Sequence, residues 1–108
     1  MLRFHRDAAG DPRARGEKHH QLLADWLESD VQDSAALGRK ILAAIDKIAA
    51  GKLDDWERTG NSFTLTLSPD GADLEPELDE AEPLHLSLRE LRDIVERWVH
   101  FVDARDGI

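Results

Sequence analysis

Asn61-Ser62-Phe63-Thr64-Leu65-Thr66-Leu67-Ser68-Pro69-Asp70-Gly71-Ala72-Asp73-Leu74-Glu75-Pro76-Glu77-Leu78-Asp79 is the stretch on which the fold turns. Phe63, Leu65 and Leu67 alternate with Thr64, Thr66 and Ser68, the period of two that separates the faces of a β-strand. Ser68-Pro69-Asp70-Gly71 then places Pro second and Gly fourth, as a type I turn requires. Past the turn, Asp73, Glu75, Glu77 and Asp79 alternate with Leu74, Pro76 and Leu78, so the carboxylates share one face and the apolar residues the other. Residues 62–79 therefore read as a β-hairpin with an acidic second strand. Pro76 has no N–H to give a ladder, so that strand lies at a sheet edge or is broken there.

Outward from the hairpin the periodicity changes. After it, Leu84 and Leu86 suggest a third short strand. Ser87-Leu88-Arg89-Glu90 is a capping box, followed by a helical stripe of Leu88, Leu91, Ile94, Val95, Trp98, Phe101 and Val102. That stripe predicts burial of Trp98 against the face formed by Phe63, Leu65 and Leu67. Before the hairpin, Leu53 to Arg58 read as a connector in which Leu53 and Trp56 pack as one turn. A helix ending near Ala50 carries Leu37, Ile41, Ala44, Ile45 and Ile48, with Asp33 or Ser34 as cap and Gly51 just past its end. A further helix spans about His19 to Val31, with Leu22, Leu23, Trp26, Leu27 and Val31 on one face. Residues 2–6 alternate as a strand, Asp7 to Pro12 supply a turn, and Arg13 to Arg15 return as a weak strand.

The order predicts a single α+β domain over residues 1–108. A small antiparallel sheet, of N-terminal strands plus the acidic hairpin, packs against about three helices, with its other face wet. A chain of 108 residues, 41% of them hydrophobic, can bury one modest core. Cysteine is absent, which excludes disulfides and thiolate metal sites and fits a reducing cytoplasm. The charged start Met1-Leu2-Arg3-Phe4-His5-Arg6 lacks the apolar run of a secretory signal, and no segment reaches the ~20 apolar residues of a membrane span. A cytoplasmic protein is expected.

Net charge is −9 and unevenly placed. Between Thr59 and Leu88 there is no Lys or Arg, yet there are seven carboxylates: Asp70, Asp73, Glu75, Glu77, Asp79, Glu80 and Glu82. A field of this sign repels nucleic acid and anionic membranes and speeds encounter with cationic partners. The seven carboxylates are the candidate partner-binding residues. The bland alternative is a solvated charged face.

Catalytic and metal signatures are missing. No window from Asp70 to Glu82 has the ligand spacing of an EF-hand. His19 and His20 are neighbours that diverge on a helix and chelate poorly, and His5, His85 and His100 are isolated. Asp54 and Asp55 beside Trp56 read as a capped turn rather than a site, and Trp26, Trp56 and Trp98 as core. No nucleophile–base pair or phosphate loop is present. No cofactor, metal or enzymatic activity is expected.

Phe4-x-Arg6-Asp7…Gly10, the helix with Trp26, Trp56-x-Arg58-x-Gly60-Asn61-x-Phe63-Thr64-Leu65 and the final Leu91…Trp98…Phe101 together resemble YacL-like small bacterial proteins over about residues 2–103. The resemblance implies a small acidic α+β protein without an established activity, and this chain departs from it in a shorter acidic hairpin region. Similar small proteins also look like the immunity partners of contact-dependent growth inhibition toxins. On that resemblance, the acidic row would neutralise a basic toxin domain, a nuclease by expectation, through stoichiometric binding. The alternative is a YacL-like housekeeping protein, including a self-associating module.

Overall fold

A computed structural model describes residues 2–17, 20–77 and 82–106. Strands β1 (Arg3–Arg6) and β2 (Pro12–Arg15) come first, then α1 (His20–Trp26), which runs on into a π-helical turn (Leu27–Val31). Helix α2 (Ala35–Ala49) follows, then β3 (Trp56–Thr59), β4 (Phe63–Ser68), β5 (Gly71–Pro76), β6 (Leu84–Leu86) and α3 (Leu88–Asp106). The fold is α+β. Strands β3-β4-β5-β6 form one antiparallel sheet in chain order, and β1-β2 form a separate two-stranded sheet. The N-terminal strands thus stand apart from the acidic hairpin and dock on α3. No helix among the described residues is long and apolar enough to cross a membrane.

The helix ends follow the sequence signals. The Ser34 hydroxyl accepts from Leu37 N at 3.1 Å, and Gly51, at φ 74°, donates to Ile48 O. At α3 the capping box is reciprocal, with Glu90 N donating to Ser87 Oγ and Ser87 N to Glu90 Oε1. Gly38 has a tertiary reason. A Cβ there would stand 2.3 Å from Val99 Cγ2, so its missing side chain is what lets α2 and α3 approach. The same pair is tied at the surface by Arg92 of α3, whose guanidinium grips Asp46 of α2 at 2.9 and 3.3 Å.

Two features depart from the sequence reading. Trp56 does not pack as a turn, because residues 56–59 form the edge strand β3, paired Trp56 to Leu67 and Thr59 to Thr64. Of the two readings of Pro76, the edge strand fails and the break holds. β5 lies between β4 and β6, and Pro76 is its last residue, beyond the three residues that β6 pairs. The missing N–H therefore falls where the ladder to β6 has already ended. The remainder of the expected acidic strand, Leu78 and Asp79, lies outside the described residues.

The β3–β4 turn is held from a distance. Asp30, in the π-helical turn, is 7% exposed, the one buried charged side chain among the described residues. Its carboxylate accepts from Ser62 N at 2.9 Å and Phe63 N at 3.1 Å, and from the Ser29 hydroxyl. Asn61 Nδ2 adds a bond to Ser29 O. A Cβ at Gly60 would stand 2.4 Å from Asp30 Oδ2, so only glycine admits the carboxylate here. The π turn carries this aspartate inward through the bond from Gln32 N to Leu27 O, and it ends with Gln32 at φ 54°, a conformation that non-glycine residues rarely take.

Trp98 is fully buried. Its indole N–H donates to Gln32 O at 2.7 Å, and its ring meets Phe4 edge-on with centroids 5.0 Å apart. The tryptophan is core as the stripe predicts, and these contacts make it the seat of the N-terminal hairpin. Arg97 covers the other side of that hairpin, 5.1 Å over the Phe4 ring, and donates to Leu2 O. Arg6 lies 5.1 Å over Phe101 and donates to Gly10 O and to the carbonyls of Phe101 and Val102.

Trp98→Ala removes a buried indole and its hydrogen bond, and is expected to cost about 3–5 kcal/mol in denaturant unfolding. A variant melting within a few degrees of the parent would contradict this packing. Asp30→Ala should cost about 2–5 kcal/mol, because it strands two backbone donors. Gly60→Ala should destabilise the parent strongly but the Asp30→Ala variant much less. Strict additivity in that double-mutant cycle would show that the close approach is not what glycine serves.

Candidate binding face

Helices α2 and α3 pack on β4 and β5 from one side, with Leu65, Leu67, Ala72 and Leu74 buried beneath them. The other side is solvent-facing. Register fixes what it shows. Glu57 pairs with Thr66, Thr66 with Asp73, and Asp73 with His85, making one transverse row across all four strands. At inter-strand spacings near 4.8 Å the row is about 14 Å wide. The adjacent row is Thr59, Thr64 and Glu75. Neither row contains Lys or Arg, so the face is a threonine strip flanked by carboxylates.

The predicted residues divide among several positions. Asp73 and Glu75 project from β5 and are exposed. Asp70 sits in the β4–β5 turn, where its N–H donates to the Ser68 hydroxyl. Type II geometry would need a positive φ at Asp70, and among the described residues Gln32 is the sole non-glycine residue with one. Glu77 folds back on β4. Its N–H donates to Ser62 O, and its carboxylate accepts from the Thr64 hydroxyl. Thr64 Oγ1 lies 2.9 Å from Thr59 Oγ1, and since Thr64 gives its proton to Glu77, Thr59 donates to Thr64. Glu82 is exposed on the approach to β6. Asp79 and Glu80 lie outside the described residues, as does His19.

Two members of the face escape the sequence reading. Glu57 joins it because β3 is a strand, a period-two signal of four residues that is too short to separate from a turn. His85, isolated along the chain, is brought by register against Asp73, with Nδ1 2.7 Å from Oδ1. Its ring also lies close over Gly71, where a Cβ would come within 2.9 Å of Cε1. By contrast, Glu57 and Glu75 take no hydrogen bond or ion pair among the described residues. They remain bare charges.

His85 is held above the ordinary histidine value of 6.5, first by its hydrogen bond to Asp73. Partial burial opposes the shift, while the Asp73 charge and the backbone and charge of Asp70 reinforce it. Elsewhere, Asp7 and Asp46 are held below the ordinary aspartate value, chiefly by hydrogen bonds from Arg13 and Arg92. No group of three His, Asp or Glu converges as a metal would need among the described residues.

The His85 shift makes a signed prediction. A raised folded value means that the β5–β6 pairing gains most while His85 is protonated, and loses that gain as pH rises through the raised value. Proton NMR should place the His85 midpoint above 6.5, and Asp73→Asn should lower it. An unchanged midpoint in that variant would refute the pairing.

Comparison with known proteins places the chain. It is 28% identical to a UPF0231 protein of Shewanella amazonensis over 109 residues, covering 86% of this chain and 88% of the relative. It is 27% identical to a UPF0231 protein of Proteus mirabilis over 90 residues, covering 83% of this chain and 68% of the relative. No solved structure matches. The profile described as "Uncharacterised protein family (UPF0231)" matches residues 2–90, from β1 through the capping box of α3. On that match, over most of its length, the chain belongs to the UPF0231 family, the YacL-like proteins.

Proposed function

We propose that the chain is a YacL-like housekeeping protein that acts by binding rather than turnover, and that its outer sheet face takes a cationic protein surface. One observation carries the reading: a solvent-facing sheet side on which Glu57, Asp73 and Glu75 stand with no Lys or Arg among the described residues. Like charges about 7–10 Å apart repel weakly, and a basic partner relieves that repulsion as it binds. Complementarity of this kind acts mainly on the rate of association and on the choice of partner. Nucleic acid and anionic membranes are repelled by the same field, and no cofactor is required.

The immunity reading is a narrower form of the same binding, in which the partner is a secreted toxin domain. Membership in UPF0231 supports the YacL-like part of the reading, and with it the housekeeping form. The gene next to this one decides whether the narrower form deserves testing.

The test is affinity capture from the source bacterium by the parent and by Glu57→Gln/Asp73→Asn/Glu75→Gln, at low and high salt. The parent should retain a basic protein that salt releases, and the variant should lose it while melting like the parent. A partner retained equally by both, or one insensitive to salt, would move recognition off this face. In parallel, esterase, phosphatase and nuclease screens of the purified protein should show no turnover, and metal analysis no stoichiometric ion. Either activity or a tightly bound metal would overturn the binding reading.

A further inference from the structure

An open groove of about 550 Å³ lies beside the π-helical turn, where α1 faces the open end of the β4–β5 hairpin. Leu22, Phe63 and Pro76 give it an apolar floor, and Asp25 and Glu28 stand on its α1 side. Its sheet residues Phe63 and Pro76 pair with each other and belong to the helix-covered face, so the groove lies at the end of the sheet and not on its acidic side. Both carboxylates retain acceptor capacity. Asp25 takes one bond, from Gln21 Nε2 at 2.8 Å. Glu28 is ion-paired with Arg13 Nη1 at 3.6 Å, while the same guanidinium bonds Asp7 through Nε at 2.9 Å. Arg13, which also lines the groove, thus shows a guanidinium already facing Glu28, and a carboxylate has acceptor sites for a second one.

We infer that this groove is the anchor site of the partner, taking an arginine-bearing extended segment of a basic protein. The aliphatic stem of the arginine lies on Leu22, Phe63 and Pro76, and its guanidinium reaches Asp25 and Glu28. Charge and shape both select such a side chain: an apolar residue would strand the carboxylates, and a short cation would leave the floor wet. A volume of this size holds several side chains, so neighbouring residues of the segment fill the remainder. The inference rests on the cationic-partner reading above and adds where on the protein the partner is gripped. Burial in a groove makes this contact act on dissociation, whereas the exposed sheet carboxylates act on association.

The probe is acetyl-Ala-Arg-Leu-Arg-Ala-amide, titrated into ¹⁵N-labelled protein, with a citrulline-for-arginine version as control. Amides of Leu22, Ser29, Ser62 and Phe63 should shift saturably. Asp25→Asn/Glu28→Gln should weaken binding at least tenfold, and Asp54→Asn/Asp55→Asn, at exposed positions outside both the groove and the sheet face, should change it less than twofold. Asp25→Asn alone, at an exposed helix position, replaces the double variant if the latter misfolds, and should weaken binding at least threefold. Equal binding of the citrulline peptide overturns the inference, as does the absence of saturable shifts at the groove. Shifts confined to Thr66 and Glu75 and abolished by Asp73→Asn/Glu75→Gln overturn the groove while leaving the sheet-face reading intact. Saturation of the groove by spermidine but not by the peptide replaces the protein partner with a small polyamine.

Discussion

The Asp30 carboxylate is the contact on which the arrangement of the two halves depends. It lies inside the protein, and a buried charge must be met by donors. Here the donors are the backbone N–H groups of Ser62 and Phe63, at the start of β4. The helical half of the molecule is thereby locked to the first residues of the central hairpin. The register of β3 on β4 and the open end of the sheet follow from that lock. Gly60 and the π-helical turn are its local costs, since one must lose its side chain and the other must widen the helix. Trp98 completes the arrangement from below by taking the carbonyl that the strained Gln32 presents.

This frame explains the residues by which the chain resembles its family. Arg6 donates to Gly10 O and to helix α3. Asp7 accepts from Ala9 N, Asp11 N and Arg13 Nε. Gly60 admits Asp30, Asn61 bonds to Ser29, and Phe63 both donates to Asp30 and fills the core. Each of these residues holds the scaffold together, and none of them converges on a reacting centre. The surface that carries the functional argument is made of other residues, Glu57, Asp73, Glu75, Asp25 and Glu28. A pattern set by folding can therefore identify the family while saying little about what the protein binds.

The acidic row is less uniform in space than along the chain. Asp73 is partly neutralised by His85, and Glu77 is tethered to Thr64. Asp70 sits in the turn at the far end of β5. Glu57 and Glu75 remain bare. The charge available to a partner is therefore divided among the edge strand β3, the inner strand β5 and the groove at the open end of the hairpin. None of these locations is predictable from the number of carboxylates in the segment.

The sequence by itself determined the elements whose causes are local. Alternation sets the strands of the hairpin, Pro69 and Gly71 set its turn, Ser34 and the Ser87-Glu90 box set helix starts, and the apolar stripes set which helix faces are buried. Each of these signals depends on residues within a few positions of one another. Tertiary structure alone decided the rest. β3 is a strand because Asp30, about 30 residues away in the π-helical turn, fixes the turn that brings it beside β4. β5 is central because β6 returns after an intervening segment. His85 meets Asp73, and Glu28 meets the Phe63 floor, through register and packing between elements. Such contacts depend on how faces dock, which the order of residues along one element does not encode.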